Sequence, residues 1–229
     1  MISCVKAPDR DQIRNCFTSP LDDASFHLEC GLVLPGGEER TVVFKGERTA
    51  GGEWVGTVQD ITERKQAEDQ LAYLANYDAL TGLPNRYLFQ DRLEHALRQA
   101  NRSGEQLALL FLDLDRFKAI NDTFGHAVGD EMLKLAARRL LSAVRTSDTV
   151  ARLGGDEFTL LLENVSDSEE AGSVARKALD AMNQPFVLAG ASCACRSASA
   201  IALYPGDASD TATLLKHADT AMYQAKEQG

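Results

Sequence analysis

Alternating apolar and polar residues dominate the first 62 residues of the chain and predict a small β-sheet. Clusters of turn-forming residues separate the alternating runs at Pro35–Glu38 and Gly51-Gly52. The runs predict three strands, over Phe26–Leu32, Arg40–Gly46 and Trp54–Gln59. This part of the chain is therefore expected to be rich in β-structure.

Residues 63–77 predict a helix with one narrow apolar seam. Ala67, Leu71 and Leu74 lie four and three residues apart, which is the spacing of a coiled-coil seam. Such a helix would join two copies of the chain in a parallel dimer. The alternative is an amphipathic helix that packs on its own domain, because two heptads are a short sample.

From Asp78 onward, helical and strand patterns alternate, which predicts an α/β or α+β domain. The run Leu107–Leu112 is apolar at every position and predicts a strand buried on both faces. Gly125-His126 opens a segment of helical periodicity, which predicts a long helix. The other predicted strands are Thr149–Leu153, Phe158–Leu162, Phe186–Leu188 and Ser192–Tyr204, and the other predicted helices are Leu88–Leu97, Phe117–Phe124, Ser168–Met182 and Thr211–Lys226.

The charge and composition of the chain narrow its partners and its location. The net charge is −10, from 34 acidic and 24 basic residues, which argues against binding to nucleic acid or to an anionic membrane. The sequence contains no apolar run that could span a bilayer and no signal peptide at Met1. We therefore expect a cytoplasmic protein with no membrane segment. Its five cysteines are not at zinc-site spacing, so we expect reduced thiols.

The stretch around Gly154-Gly155 has the pattern of a tight hairpin. Two glycines reach positive φ without a Cβ clash, and an alternating segment follows them. Strand alternation would then send Asp156 and Glu157 to opposite faces of the ribbon. Two carboxylates at the tip of a hairpin are better placed for a cation than for a core.

Asp113 directly follows the predicted buried strand, so we expect it at a strand end. If the hairpin lies beside that strand, Asp113, Asp156 and Glu157 converge. Carboxylates can hold a triphosphate through hard cations, whereas the sequence has no Walker A loop for this purpose. The alternative interpretation is a solvated acidic edge.

Three segments resemble the GGDEF family, the diguanylate cyclases. Gly154–Phe158 matches all five signature letters, Asp78–Arg86 matches the opening Asp-x-Leu-Thr-Gly-Leu-x-Asn-Arg, and Asp113–Asp130 matches the block Asp-x-Asp-x-Phe-Lys-x-Ile-Asn-Asp…Gly-His…Gly-Asp. The resemblance covers roughly Asp78 to Gly229. It implies an antiparallel-centred sheet covered by helices, like the palm of polymerases and of class III nucleotidyl cyclases.

The family resemblance also implies an activity and a metal site. The activity would be condensation of two GTP into cyclic di-GMP and two pyrophosphates by a homodimer. Asp113, the Leu114 carbonyl and Glu157 would hold Mg²⁺ (or Mn²⁺), and Asp156 would be the base candidate for the ribose 3′-hydroxyl. The division of roles between Asp156 and Glu157 stays open.

Further residues of the same motifs would bind the substrate. Asn121 and Asp130 would recognise the guanine edge, since a carboxylate accepts from its N1–H and N2–H₂ groups. Their alternative role is helix capping.

Two lysines, Lys118 and Lys226, would balance phosphate charge. Phe117 and His126 complete the substrate-binding set, and for His126 we favour a structural role over a catalytic one.

Arg145-Thr-Ser-Asp148 precedes the glycine pair at the spacing of the family's inhibitory site, where the product binds. Arginine suits phosphodiester oxygens and stacks on guanine. The alternative is a salt bridge at a helix end, with Arg145 favoured by the helix dipole.

Residues 1–62 resemble the C-terminal half of a PAS sensor domain. Asp60-Ile61-Thr62 is the tripeptide that commonly closes that family, and Asp9–Ile13 resembles the helix before its last three strands. The first half of a PAS domain is missing from this pattern, so we expect neither haem nor flavin. The expected domains are the partial PAS domain at 1–62, the linker helix at 63–77 and the GGDEF domain at 78–229.

Two departures from the family pattern bear on the function. Ala198–Ala202 reads Ala-Ser-Ala-Ile-Ala instead of Ser-Ile-Gly-Ile-Ala, and the chain stops at Gly229, before the usual Arg-Asn. The ending resembles that of GGDEF domains followed by a downstream phosphodiesterase domain. An active, product-inhibited cyclase is our leading hypothesis, and the alternative is a catalytically weak GTP- or cyclic-di-GMP-binding regulatory module of a larger GGDEF/phosphodiesterase protein.

Overall fold

The structure, a computed structural model, describes residues 4–18, 25–188, 191–193 and 197–228. The chain divides into two units, residues 1–72 and 73–229, and each unit has its own sheet. No helix in the described ranges is both long enough and apolar enough to cross a bilayer.

A three-stranded antiparallel sheet forms most of the N-terminal unit. A 3-10 turn and a helix precede it, and the elements are the turn Ala7–Asp9, α1 (Arg10–Thr18), β1 (Ser25–Val33), β2 (Glu39–Arg48) and β3 (Trp54–Asp60). Val5, Ile13, Cys30, Val42 and Phe44 form its core. The three strands predicted from the alternating pattern are all present and slightly longer than predicted, while the assignment to the PAS family stays a prediction.

Helix α2 (Thr62–Asn76) begins at the end of β3 and has no buried residue. The Thr62 backbone N–H donates to Asp60 Oδ1 at 2.9 Å, which satisfies a donor at the helix start. Leu71 is 68 % exposed and Leu74 is 45 % exposed. Packing of this seam on the chain's own domain is therefore not found among the described residues.

The helices of the C-terminal unit are α3 (Arg86–Ser103), α4 (Phe117–Phe124), α5 (His126–Ala143), α6 (Ser168–Asn183) and α7 (Thr211–Gln228), and its strands are β4 (Gln106–Leu114), β5 (Thr149–Gly154), β6 (Glu157–Val165), β7 (Phe186–Leu188), β8 (Ala191–Cys193) and β9 (Ser197–Tyr204). Four of the strands form an antiparallel sheet covered by helices, in the strand order β5-β6-β4-β9. Strands β7 and β8 form a separate two-stranded antiparallel sheet. The predicted fold class is confirmed.

Strand β4 is buried on both faces because helices cover both sides of the sheet. Leu110 and Leu112 belong to a core that contains residues of α5 and α6, whereas Leu107 and Leu109 belong to a second core with residues of α3 and α7. The unbroken apolar run of this strand follows from that double burial.

Two expectations need correction at the strand ends. Strand β4 continues to Leu114, so Asp113 lies inside the strand and not just beyond it. The predicted strand Ser192–Tyr204 is found as β8 and β9, and residues 194–196 between them, which include Cys195, lie outside the described residues. The departure from the family pattern at Ala198–Ala202 does not prevent burial of β9, since Ala200 and Ala202 are 6 % and 2 % exposed.

Candidate active site

The hairpin between β5 and β6 has its turn one residue later than the sequence predicts. Gly154 is the last residue of β5 and pairs with Glu157, so the two turn residues are Gly155 and Asp156. Gly155 has φ 54°, a conformation that glycine adopts at little cost at this position of a hairpin turn. Because Asp156 lies in the turn, strand alternation does not set its direction as predicted.

Asp113 and Glu157 occupy directly opposite positions on neighbouring antiparallel strands. Asp113 is 6 % exposed, while the side chain of Glu157 is 51 % exposed and lies 3.8 Å from Arg86 Nη2 through its Oε2 atom. Opposite residues in such strands have Cβ atoms about 5 Å apart, and like charges there repel unless a cation intervenes. This pair has the ligand type and the proximity that a hard divalent cation requires.

The expected convergence of three carboxylates is not observed. Among the described residues, no three His, Cys, Asp or Glu side chains are grouped so that they could hold a metal ion. Asp113 and Glu157 pair across the strands, whereas Asp156 follows Gly155 in the turn and is not part of that cross-strand pair. The implied metal set, which consists of two carboxylates and the Leu114 carbonyl, does not depend on that convergence.

Arg152 connects the hairpin to the segment that begins the domain. Its Nη1 donates to both carboxylate oxygens of Asp78 at 2.9 and 3.1 Å, and its Nε and Nη2 donate to the Gly155 carbonyl oxygen at 3.0 and 2.7 Å. The Arg152 backbone N–H donates to the Pro84 carbonyl oxygen at 3.0 Å. Since the Arg152 side chain is only 10 % exposed, this largely buried cluster fixes the position of the turn. We call these contacts the Arg152 clamp.

The carboxyl group of Asp78 is held in its charged form. Burial by itself would raise the pKa of Asp78, but hydrogen bonds from the hydroxyl and backbone N–H of Thr81, together with Arg152, lower it below its ordinary value. The two Thr81 bonds measure 2.6 and 2.9 Å. The Arg152 clamp is therefore a charge-assisted contact, which is stronger than a neutral one.

Asn121 of α4 lies against Gly129 near the start of α5, and Asp130 is the residue that follows Gly129 in the chain. A Cβ atom added to Gly129 would lie 1.9 Å from Asn121 Oδ1, so only glycine permits this close approach. Asn121 Oδ1 is buried and has no hydrogen-bond partner among the described residues, whereas Asp130 is exposed. Neither residue occupies a cap position of its helix, so the capping alternative is wrong.

The other predicted substrate-binding residues lie in different surroundings. Phe117 is 9 % exposed and packs in the core beneath α4. Lys118 and His126 are exposed at the starts of α4 and α5. Lys226 lies in α7, and its side chain is outside the described part of the chain.

Arg145 and Asp148 form a closed turn directly after α5. The Arg145 backbone N–H donates to Asp148 Oδ2 at 2.9 Å, and the Asp148 backbone N–H donates to the Arg145 carbonyl oxygen at 3.1 Å. The Arg145 side chain forms a salt bridge to Glu170 of α6 through its Nη2 atom. Its ionic partner is thus on another helix and not at the end of α5.

Sequence reasoning missed three residues that shape these sites: Gly129, Arg152 and Glu170. Asp78 and Arg152 are 74 positions apart, and Arg145 and Glu170 are 25 apart. No local periodicity connects residues at such distances. Only Gly129 could have been found from the sequence, because it stands in the Gly-Asp pair that ends the motif block Asp113–Asp130.

The antiparallel sheet, the glycine hairpin and the facing carboxylates together define a GGDEF-like domain. The family model described as diguanylate cyclase, GGDEF domain, matches residues 75–229, which is more than half of the chain. The chain therefore belongs to the GGDEF-domain diguanylate cyclase family.

Similar proteins include two from Pseudomonas aeruginosa. The bifunctional diguanylate cyclase/cyclic di-GMP phosphodiesterase MucR is 45 % identical over 168 residues, which are 73 % of this chain and 24 % of MucR. The diguanylate cyclase TpbB is 49 % identical over 159 residues, which are 69 % of this chain and 37 % of TpbB. The chain thus spans between a quarter and two fifths of the length of these relatives.

Solved structures show the same fold. The GGDEF domain of TpbB matches with a TM-score of 0.65 and 48 % identity, covering 67 % of this chain and 90 % of that one. The coiled coil and GGDEF domain of DgcB from Caulobacter crescentus, in complex with c-di-GMP, matches with a TM-score of 0.64 and 26 % identity. That match covers 74 % of this chain and 90 % of that one.

Proposed function

We propose that this chain is a metal-dependent diguanylate cyclase that condenses two GTP into cyclic di-GMP and two pyrophosphates. The observation that carries the proposal is the cross-strand pair of Asp113 and Glu157 beside the glycine hairpin. In the reaction, each 3′-oxygen attacks the α-phosphorus of the other GTP, the bond to pyrophosphate breaks, and the hydroxyl proton passes to a base. Asp156, in the turn, is the candidate for that base.

The metal ligands would be Asp113, the Leu114 carbonyl and Glu157. Two oppositely placed carboxylates and a neighbouring carbonyl are all oxygen donors, as Mg²⁺ or Mn²⁺ prefers. A bound cation supplies charge stabilisation at the phosphate oxygens and activates the attacking hydroxyl. It would also offset the repulsion between the acidic chain, with a net charge of −10, and an anionic nucleotide.

Guanine would be recognised where α4 meets α5. The buried Asn121 Oδ1 atom has no partner among the described residues, and a buried polar atom of this kind costs free energy until a donor reaches it. The guanine amino group is such a donor, and the Asp130 carboxylate accepts from N1–H and N2–H₂. Lys118 and Lys226 would balance phosphate charge, with Phe117 and His126 supporting the site.

A homodimer would bring two GTP-bound sites face to face. The exposed seam at Leu71 and Leu74 supports this arrangement, because an uncovered apolar stripe on a helix favours pairing with another helix. The relative DgcB was solved with a coiled coil joined to its GGDEF domain. We infer that α2 serves the same purpose in this chain.

Cyclic di-GMP would inhibit the enzyme by binding at Arg145 and Asp148. The guanidinium of Arg145 suits the two phosphodiester groups, and Asp148 suits a guanine edge. The complex of DgcB with c-di-GMP supports product binding by a domain of this fold. The site would lie outside the metal site, so the inhibition would be allosteric.

A second candidate function is a regulatory module that binds GTP or cyclic di-GMP with little turnover. The observation that favours it is the similarity to MucR, in which a domain of this family belongs to a bifunctional cyclase and phosphodiesterase. A downstream phosphodiesterase domain would then be the regulated partner. Binding of GTP without pyrophosphate release would identify this function.

The deciding experiment incubates the purified protein with GTP and Mg²⁺ and separates the products by chromatography. We expect cyclic di-GMP and pyrophosphate in a ratio of one to two, and no product when the cation is chelated. ATP in place of GTP is the control for base recognition. Unchanged GTP at high protein concentration, with binding still measurable, would contradict the cyclase and support the regulatory module.

A further inference from the structure

The two carboxylate oxygens of Glu170 contact different groups. Glu170 Oε2 accepts from the Ser166 backbone N–H at 2.9 Å and from the Ser166 hydroxyl at 2.7 Å. Glu170 Oε1 accepts from Arg145 Nη2. The hydrogen bonds from Ser166 and Arg145 lower the pKa of Glu170 to about 2, so the group is an anion throughout the physiological pH range.

Arg145 therefore already has an anionic partner before any product binds. Its side chain is 65 % exposed and within reach of a ligand, while that of Glu170 is 25 % exposed. The Nη2 atom that contacts Glu170 contributes one N–H to each of the two edges through which a guanidinium grips a phosphate with two hydrogen bonds. A phosphodiester on the edge that faces Glu170 would displace the carboxylate, and one on the other edge would lie close to its negative charge.

We propose that Glu170 competes with cyclic di-GMP for the Arg145 guanidinium and so sets the product concentration at which inhibition begins. The inference rests on the proposed inhibitory site at Arg145 and Asp148. It adds a residue outside the Arg-x-x-Asp motif that determines how tightly that site binds its ligand.

The fold allows Arg145 to exchange partners at low cost. When Arg145 turns to a phosphodiester, Glu170 Oε2 keeps its two bonds to Ser166. The carboxylate also remains in the first turn of α6, where the helix dipole favours a negative charge. Glu170 is therefore not left as an unsatisfied anion, and the moving part is the exposed side chain of Arg145.

Charge explains why the competition weakens product binding. Arg145, Asp148 and Glu170 together carry a net charge of −1, and cyclic di-GMP brings two phosphodiester charges to them. The Asp148 carboxylate is additionally engaged by the Arg145 backbone N–H at 2.9 Å. Removing the charge of Glu170 changes the net charge of the group to zero and leaves Arg145 to the ligand.

The test is isothermal titration of cyclic di-GMP into the whole chain and its variants. Glu170→Gln keeps an oxygen that can accept from Ser166 but removes the charge. We expect it to bind the product roughly three- to tenfold more tightly, somewhat above the range measured for one exposed ion pair because the anionic ligand is also repelled. Glu169→Gln is the matched control, since it removes the same charge from an exposed neighbour in the same helical turn.

The variants separate this inference from the proposed function. If the wild-type chain binds cyclic di-GMP and Arg145→Ala does not, the result supports the inhibitory site. If Glu170→Gln then binds no more tightly than wild type, or tightens binding no more than Glu169→Gln does, Glu170 is not a competitor. Absence of binding in wild type and in Glu170→Gln alike would overturn the inhibitory site itself. Thermal unfolding of each variant verifies that it is folded.

Discussion

Asp113 and Glu157 face each other across β4 and β6, and this pairing makes Glu157→Gln the most direct test of the proposed metal site. We expect the variant to lose at least about 100-fold in the rate of cyclic di-GMP formation, because a metal ligand contributes several kcal/mol of charge stabilisation. The rate is measured by chromatography at saturating GTP and Mg²⁺.

The control for that variant lies on the same strand. Glu163→Gln makes the same chemical change six residues further along β6, at a half-buried position far from the hairpin. It should leave the rate within about twofold, because Glu163 is not among the proposed metal ligands or substrate-binding residues. Asp156→Asn should also abolish product formation if Asp156 is the base. Full activity of both Glu157→Gln and Asp156→Asn would refute the assignment of this carboxylate site.

Asp130 provides a separate test at the residue scale, which concerns the preference for guanine over adenine. Asp130→Ala removes an ionised acceptor and leaves the guanine donors unpaired, which should weaken GTP binding by about ten- to a hundredfold. ATP binding should change little. Titration of both nucleotides measures the effect, with Asp122→Ala on the exposed face of α4 as the control. An unchanged preference for GTP over ATP would show that Asp130 does not recognise the base.

The Arg152 clamp acts at the scale of elements, because it joins the start of the domain to the turn between β5 and β6. Arg152→Ala leaves the Asp78 carboxylate and the Gly155 carbonyl without their charged donor. We expect the free energy of unfolding to fall by about 2 to 4 kcal/mol. We also expect the rate of cyclic di-GMP formation to fall, since the carboxylates of the hairpin depend on the position of the turn.

Denaturant unfolding and the GTP assay measure the two effects of Arg152→Ala. Arg138→Ala, on the exposed face of α5, is the matched control and should alter neither quantity appreciably. Arg152→Lys should not restore the wild-type values, because an ammonium group cannot grip a carboxylate and a carbonyl through a planar fork. Wild-type stability of Arg152→Ala would mean that the clamp is energetically unimportant.

At the scale of the whole molecule, the exposed seam of α2 predicts self-association through this helix. Leu71→Asp places a charge in the seam and should weaken dimerisation by about tenfold or more. Activity should fall in parallel, since two GTP-bound sites would have to meet in the proposed homodimer. Light scattering after size-exclusion chromatography measures the dimer, and Gln70→Asp, one position off the seam, is the control. A fully dimeric and active Leu71→Asp protein would place the dimer interface elsewhere.

The sequence by itself determined where most of the helices and strands lie. An alternating pattern specifies a strand with one exposed face, and an unbroken apolar run specifies a strand covered on both faces, as β4 is. Glycines placed the hairpin to within one residue. The motif residues from Asp113 to Asp130 could also be identified from the sequence, because residue types at fixed spacing carry the family resemblance.

The tertiary structure alone decided which residues meet. The register of β5 and β6 shifts between Arg152 and Gly154, and such an irregularity moves the turn without disturbing the alternating pattern on either side. The strand order β5-β6-β4-β9 then sets Glu157 opposite Asp113. Packing of helices and strands from distant parts of the chain brings Arg152 to Asp78 and Glu170 to Arg145. These contacts depend on the global arrangement of the elements, and the local periodicity of a sequence contains no information about them.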